Sequence, residues 1–490
     1  MSQPIKIMKN SVAILAGRIY HAILSLIAVG LIARYLKVER FGDYAFILAV
    51  CSVFMVVTDM GIHRISIREM SRDLTKANDV FWASSFAKVL LSVITFLGIV
   101  LTINIMSHDK DVIHATYICA IGVIVFFLGD VFLANYIAFE KMGFAALSHV
   151  VEGTSYLLFV ALFIHMDSGL SGIFWALLFS YIARICFGII ITHTNFFKFR
   201  FRLNLSLSRF LVTEGFPIGV NRILQKASVR VDTILIKLMR SATEVGLYHG
   251  PYRIILTLVL IPQSITEALF PLISRLASES RNSMSLALEK SFKFMLVMVI
   301  PLAMIMISFS DMIIRVVLGK DFLRSILALQ VFSIVWVIMF FNELFSKFLS
   351  ASNRQVLAAK AMAICLVINV ILDVILIYLF GYFGAVIATL LAEASLSIAA
   401  YFFISRTMGV ISWKKVLPKP LLAALPMIAV VSFLQPASPF LAAPVGLGVF
   451  VAGLFLFQAF EPDEIELFRE IFRRTLGLLD WKTYQKRTSK

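Results

Sequence analysis

Charge is scarce in this chain of 490 residues. Asp, Glu, Lys and Arg make up 15% of it, where an ordinary soluble domain carries about 25%. That excludes a water-soluble globule, and 60% apolar residues with 44 Phe exclude a disordered chain. Cysteine is sparse as well. Cys51, Cys119, Cys186 and Cys365 each sit in an apolar run with no CxxC spacing among them, so neither a disulfide framework nor a metal centre is expected. No Gly-rich phosphate loop, HExxH helix or nucleophile elbow is present, which argues against an enzyme. Acidic residues lag behind basic ones, 29 against 45, leaving a formal net charge of +16.

What the chain does contain is long apolar runs. A bilayer-spanning helix needs about 20 apolar residues, and about 35 with its loop. The expected fold is therefore an all-α polytopic membrane protein with about 14 transmembrane helices. With the N-terminus inside, the inner segments collect 28 Lys and Arg and the outer segments nine. That imbalance places both termini in the cytoplasm. Much of the net charge is then topological, held against anionic headgroups, and a nucleic-acid partner is not expected. Residues 1–30 do not read as a cleavable signal, since Arg18 and His21 interrupt a run that continues to Ile32 without a small-x-small site. Past Glu461, Pro462 and Asp463 suit a first helical turn, and Ile465, Phe468, Ile471, Phe472 and Leu476 share one face. This pattern predicts an amphipathic tail on the cytoplasmic surface.

The sequence also repeats. ARYLKVERFGDYAF (33–46) parallels IKLMRSATEVGLYHG (236–250), each a helix end, a short charged hairpin and Gly-x-Tyr. GLSGIFWALL (169–178) parallels GYFGAVIATLL (381–391), and Ser85-Phe86 parallels Ser291-Phe292. The expected organisation is a six-helix lobe at 1–205, a second at 206–410, two additional helices at 411–460 and the tail at 461–490. Transporters with repeated halves place the substrate where the halves meet.

The segments LIARYLKVERFGDYAF (31–46), TDMGIHRISIREMSR (58–72), VDTILIKLMRSATEVGLYHGPYRI (231–254), FPLISRL (270–276) and FLSASNRQ (348–355) carry a family resemblance. The chain resembles the oligosaccharide and polysaccharide repeat-unit flippases, of the O-antigen and exopolysaccharide type, in the multidrug/oligosaccharidyl-lipid/polysaccharide exporter superfamily. One departure is Lys37, where that family more often has Gly after Tyr-Leu. The resemblance implies two six-helix lobes around a central cavity, and alternating access.

Eight basic residues remain inside the spans: Arg18, Lys88, Arg184, Arg222, Lys226, Arg230, Arg253 and Lys347. Each costs about 2.5–3.5 kcal/mol at a bilayer centre on insertion scales. Arg222, Lys226 and Arg230 recur every fourth residue and form a single stripe on the seventh span. Arg18, His21 and Ser25 form a similar stripe on the first span, its counterpart in the repeat. Lining of a substrate path by these stripes, with Arg184 and Arg253 as further candidates, suits a dianionic pyrophosphate headgroup. Pairing with Asp59, Asp130, Glu152, Glu214, Glu267, Glu343 or Glu393 is the alternative. Lys88 and Lys347 lie near span ends, where they snorkel or pair.

A second constellation lies in the later half. Asn369 and Asp373 share a face of the eleventh span, Thr389 lies a turn before Glu393, and Asp232 sits off the basic stripe at a similar depth. Cation-coupled members of the superfamily, lipid II flippases included, have a similar pattern. The resemblance implies a sodium site at Asp232, Asn369, Asp373 and Thr389. A buried polar network, or a proton site at Asp373, remains open as the alternative. No other cofactor is expected.

The expected function is that of a flippase. It would carry an undecaprenyl-pyrophosphate-linked oligosaccharide from the cytoplasmic to the outer leaflet of a bacterial inner membrane, with cation coupling. Membrane lipids, a polysaccharide polymerase and export machinery are the expected partners. A drug/cation antiporter of the same superfamily is the first alternative, though a basic stripe has the wrong sign for cationic cargo. A membrane glycan polymerase or ligase is the second, but the longest outer segment of this chain, about 311–325, is too short for an active-site domain.

Overall fold

The computed structural model describes residues 3–277 and 281–460. The amphipathic tail expected at 461–490 lies outside the described residues. Within them the chain is helical with no strand, as backbone polar groups in lipid require. The first half contains α1 (Gln3–Asp59), α2 (Ile62–Arg72), α3 (Ala77–Met106), α4 (Lys110–Ala138), α5 (Met142–His165) and α6 (Gly169–Asn195). Then come α7 (Leu205–Met239), α8 (Ala242–Leu258), α9 (Leu260–Ala277), α10 (Arg281–Ser308), α11 (Ser310–Val317), α12 (Ile326–Ala351), α13 (Gln355–Phe380) and α14 (Tyr382–Thr407). The short α15 (Trp413–Val416) precedes α16 (Pro418–Leu434) and α17 (Pro439–Leu456), both opened by a proline whose missing N–H costs nothing at a first turn.

Twelve of the described helical stretches are long and apolar enough to cross a bilayer. One of them, Ala13–Arg72, contains both arms of α1, which breaks at Lys37 with φ 60° and ψ 177°. The charged α7 is not among the twelve. Counting the α1 arms separately and adding α7 gives the fourteen spans read from the sequence. Side-chain caps set several starts. Asn204 accepts from the Leu207 N–H at 3.0 Å to open α7, and Ser241 accepts from the Glu244 N–H at 3.3 Å to open α8.

The chain divides into two compact units. One comprises residues 1–278 and 309–407, the other residues 279–308 and 408–490. In the second unit α10 packs on α16 and α17. In the first, α1 is the central element, packing on α5, α7 and α8. Two glycine seams let these backbones touch. A Cβ on Gly42 would fall 1.7 Å from the Ala242 carbonyl oxygen, and one on Gly246 would fall 2.2 Å from that of Val38. At the far end of the same α1 arm, a Cβ on Gly215 would lie 2.4 Å from the Met60 carbonyl oxygen. Gly42 and Gly246 are the glycines of the two Gly-x-Tyr repeats, so the repeat motifs meet face to face.

Candidate functional site

A cavity of about 480 Å³ lies among α7, α8, α9, α12, α13 and α14. Lys226 and Arg230, one turn apart on α7, line it together with Arg253 of α8. No carboxylate lies within ion-pair distance of these three among the described residues, and the charged groups acting on Lys226 are Arg222, Arg230 and Arg253. The Arg230 Nε is buried without an acceptor. Arg253 donates through Nη2 to the Ser25 hydroxyl at 3.1 Å, which ties the cavity wall to the first span. Like charges in a medium of reduced dielectric repel by several kcal/mol at close range. Side chains of this kind carry the charge that attracts an anion.

The other five intramembrane cations have acidic partners. Arg222 pairs with Asp59, which also lies 3.4 Å from Lys88. Lys88 is fully buried and donates to Asp130 at 2.6 Å, and His63 Nδ1 sits 2.9 Å from the same carboxylate oxygen. Arg184 donates to Glu152 at 2.7 Å and stacks over Phe126. His21 is 3.8 Å from Glu152, Arg18 is 3.8 Å from Glu267, and Lys347 is 3.4 Å from Glu343. The α7 stripe therefore divides by surroundings. Its first member closes a buried charge network, while the next two face the cavity. Arg18, His21, Arg184 and Arg222 do not line this cavity, and the α1 stripe reaches it only through Ser25.

The four oxygen-bearing residues come together on α7, α13 and α14, and all are buried. Thr389 donates to Asp232 Oδ2 at 3.0 Å and also lies 3.0 Å from the Tyr248 hydroxyl, which itself donates to the same Asp232 oxygen. Asp373 faces Asp232 closely enough to feel its charge. Among the described residues, no hydroxyl, amide or basic group donates to Asp232 Oδ1, Asn369 Oδ1 or either Asp373 oxygen. Buried acceptors left open are costly. Two carboxylates, an amide oxygen and a hydroxyl form a hard donor set of the kind a small alkali cation takes, so these residues fit such an ion. Asp232, Asn369 and Thr389 also line the cavity.

Sequence reasoning missed Tyr248 and Asn342. Tyr248 belongs to the second Gly-x-Tyr motif, which reads as structural, yet its hydroxyl bridges Asp232 and Thr389. Asn342 lines the cavity and donates to Glu393 Oε2 at 2.6 Å. A lone amide in an apolar span beside Glu343 was its only signal.

The all-helical, multi-span fold and the family matches that follow place the chain in the multidrug/oligosaccharidyl-lipid/polysaccharide exporter superfamily. Within it, the chain belongs to the polysaccharide biosynthesis protein family, whose model matches residues 7–277. The MatE family model matches residues 217–375. A probable low-salt glycan biosynthesis flippase, Agl15 of Haloferax volcanii, is 29% identical over 165 residues, 34% of this chain and 35% of that one. The chain thus matches about a third of that relative's length. A putative O-antigen transporter of Shigella flexneri is 22% identical over 351 residues, 69% of this chain and 82% of that protein. Among solved structures, the lipid II flippase MurJ in an inward closed conformation superposes with a TM-score of 0.72 at 17% identity, covering 96% of this chain and 99% of that one. An inward-facing multidrug resistance MATE transporter superposes at 0.60 and 15% identity, covering 81% and 95%. These two share the fold.

Proposed function

We propose that the protein is a flippase for a lipid-linked oligosaccharide, a transporter and not an enzyme. Its cargo would be an undecaprenyl-pyrophosphate-linked polysaccharide repeat unit, moved from the cytoplasmic to the outer leaflet by alternating access. The observation that carries this reading is the set of three cavity cations, Lys226, Arg230 and Arg253, without carboxylate partners among the described residues. A pyrophosphate supplies the missing counter-charge, while the polyprenyl tail remains in the bilayer. The names of the relatives from Haloferax volcanii and Shigella flexneri support the glycan class. Placement in the cytoplasmic membrane, both termini inside, follows from the distribution of Lys and Arg. The polymerase and export machinery that use the flipped unit are the proposed partners.

Cation coupling belongs to the same proposal. Asp232, Asn369, Asp373 and Thr389 would hold a sodium ion, which would neutralise charge that is otherwise buried and unpaired. A proton on Asp373 is the rival occupant. Tyr248 holds one Asp232 oxygen toward Thr389 and so orients the carboxylate.

Reconstituted protein supplied with a lipid-linked oligosaccharide on one leaflet tests the assignment. Lys226→Ala and Arg230→Ala should each slow translocation at least about tenfold, the loss of roughly one charge-assisted hydrogen bond, with folded protein retained. Wild-type rates in both variants would overturn it.

A further inference from the structure

The cavity has two chemically opposed walls. Lys226, Arg230 and Arg253, on α7 and α8, offer only donors. Opposite in character, α12 and α14 present Asn342, Glu343 and Glu393 to the same space. The Asn342 amide nitrogen donates to Glu393 Oε2 at 2.6 Å and to the Glu393 carbonyl oxygen at 3.1 Å. A backbone carbonyl only accepts, so the amide orientation is determined by that contact. The Asn342 side-chain oxygen is left over. It is without a partner, on a residue nine-tenths buried that lines the cavity. Glu393 has no basic side chain within ion-pair distance among the described residues, and its hydrogen-bond donor is Asn342. Glu343, by contrast, is engaged by Lys347 and Thr266, both at 3.4 Å.

Asn342 and Glu393 thus make a wall of acceptors. A phosphate oxygen is a poor match there, being an acceptor itself and facing the open Asn342 oxygen. The complementary group is a donor, and a sugar is rich in hydroxyl and amide N–H donors. We infer that Asn342 and Glu393 form a sugar subsite, reading donor groups on the glycan next to the lipid-linked phosphate, while the cationic wall holds the phosphate. This deepens the flippase reading and rests on it. It makes the cavity selective for a glycosylated headgroup over the bare lipid pyrophosphate. Two walls of opposite polarity also set the headgroup's direction, because reversal would place phosphate on carboxylate.

The test uses the full chain in lipid nanodiscs and two probes: undecaprenyl pyrophosphate, and undecaprenyl pyrophosphate bearing one N-acetylglucosamine. Wild type should bind the glycosylated probe more tightly. Glu393→Gln keeps shape and removes charge, and should cut that preference about tenfold, the difference between a charged and a neutral hydrogen-bond partner. Asn342→Leu should cut it severalfold. Affinity for the sugar-free probe should stay within about twofold in both variants, which also reports their folding. Arg230→Ala should weaken both probes together. An unchanged preference in Glu393→Gln and Asn342→Leu, or an equal loss on both probes, overturns the sugar subsite and leaves the flippase reading intact. Indifference of both probes to Arg230→Ala, or no binding of either to wild type, overturns the flippase reading and this inference with it.

Discussion

Lys37 illustrates how a single residue can carry strain. At φ 60° and ψ 177° it occupies a backbone region that is essentially reserved for glycine. The family resemblance marks this position as one where Gly is usual, and the break between the two α1 arms supplies the reason. A Lys here costs about 1–3 kcal/mol in backbone strain. Its ion pair with Asp321 at 3.2 Å returns little, since both side chains are exposed. Lys37→Gly should therefore raise the thermal midpoint in detergent, by about 1 kcal/mol of stability after allowing for the greater freedom of glycine in the unfolded chain. A lowered midpoint would mean that the Asp321 pair outweighs the backbone term. Tyr248 shows the converse. Its motif was visible as a repeat, but its bond to Asp232 was not, because sequence periodicity does not say which neighbouring span a hydroxyl meets.

Helices meet in this protein where side chains are absent. The Gly42–Gly246 seam brings α1 and α8 to backbone contact, and Gly215 does the same for α7 against Met60. Close backbone approach favours dispersion contacts that bulkier residues forbid. Gly42→Ala places a methyl where the Ala242 carbonyl stands, so that seam should no longer close. Cys365, a buried free thiol lining the cavity, is a native reporter. With Cys51, Cys119 and Cys186 replaced by Ser, its labelling by a water-soluble maleimide should rise severalfold in Gly42→Ala. Unchanged labelling would mean that the seam does not gate the cavity. Near the second seam, the network of Asp59, His63, Lys88 and Asp130 in the first half takes Arg222 from α7 as a fifth member. Under the proposed alternating access, this ion pair would act as a latch between α7 and the first-half network.

Across the whole molecule the duplication is unequal. Counting back from the paired Gly-x-Tyr motifs, the first-half counterpart of Asp232 is Ala28, which is buried and apolar. The open acceptors around Asp373 therefore belong to the second half, and so does the proposed ion site. Sodium at about a hundredfold its dissociation constant should stabilise the purified protein by about 2.7 kcal/mol. Asp373→Asn should abolish that protection. Equal melting in sodium and in an impermeant organic cation would remove the ion from the proposal. The similarity to MurJ, a TM-score of 0.72 at 17% identity, shows how far this architecture persists while side chains change.

The amino-acid sequence by itself determined the solvent in which the chain folds, its helical spans and the presence of costly charge inside them. These follow from hydropathy and helical periodicity, which are local properties. Which cations are neutralised and which are left facing the cavity was decided only by tertiary packing. Arg222 and Lys226 are four residues apart on one face of one helix, yet the first meets Asp59 and the second meets no carboxylate among the described residues. Partners separated by 163 positions in the chain are brought within reach by helix–helix contact, and no periodicity within a single helix encodes that distance.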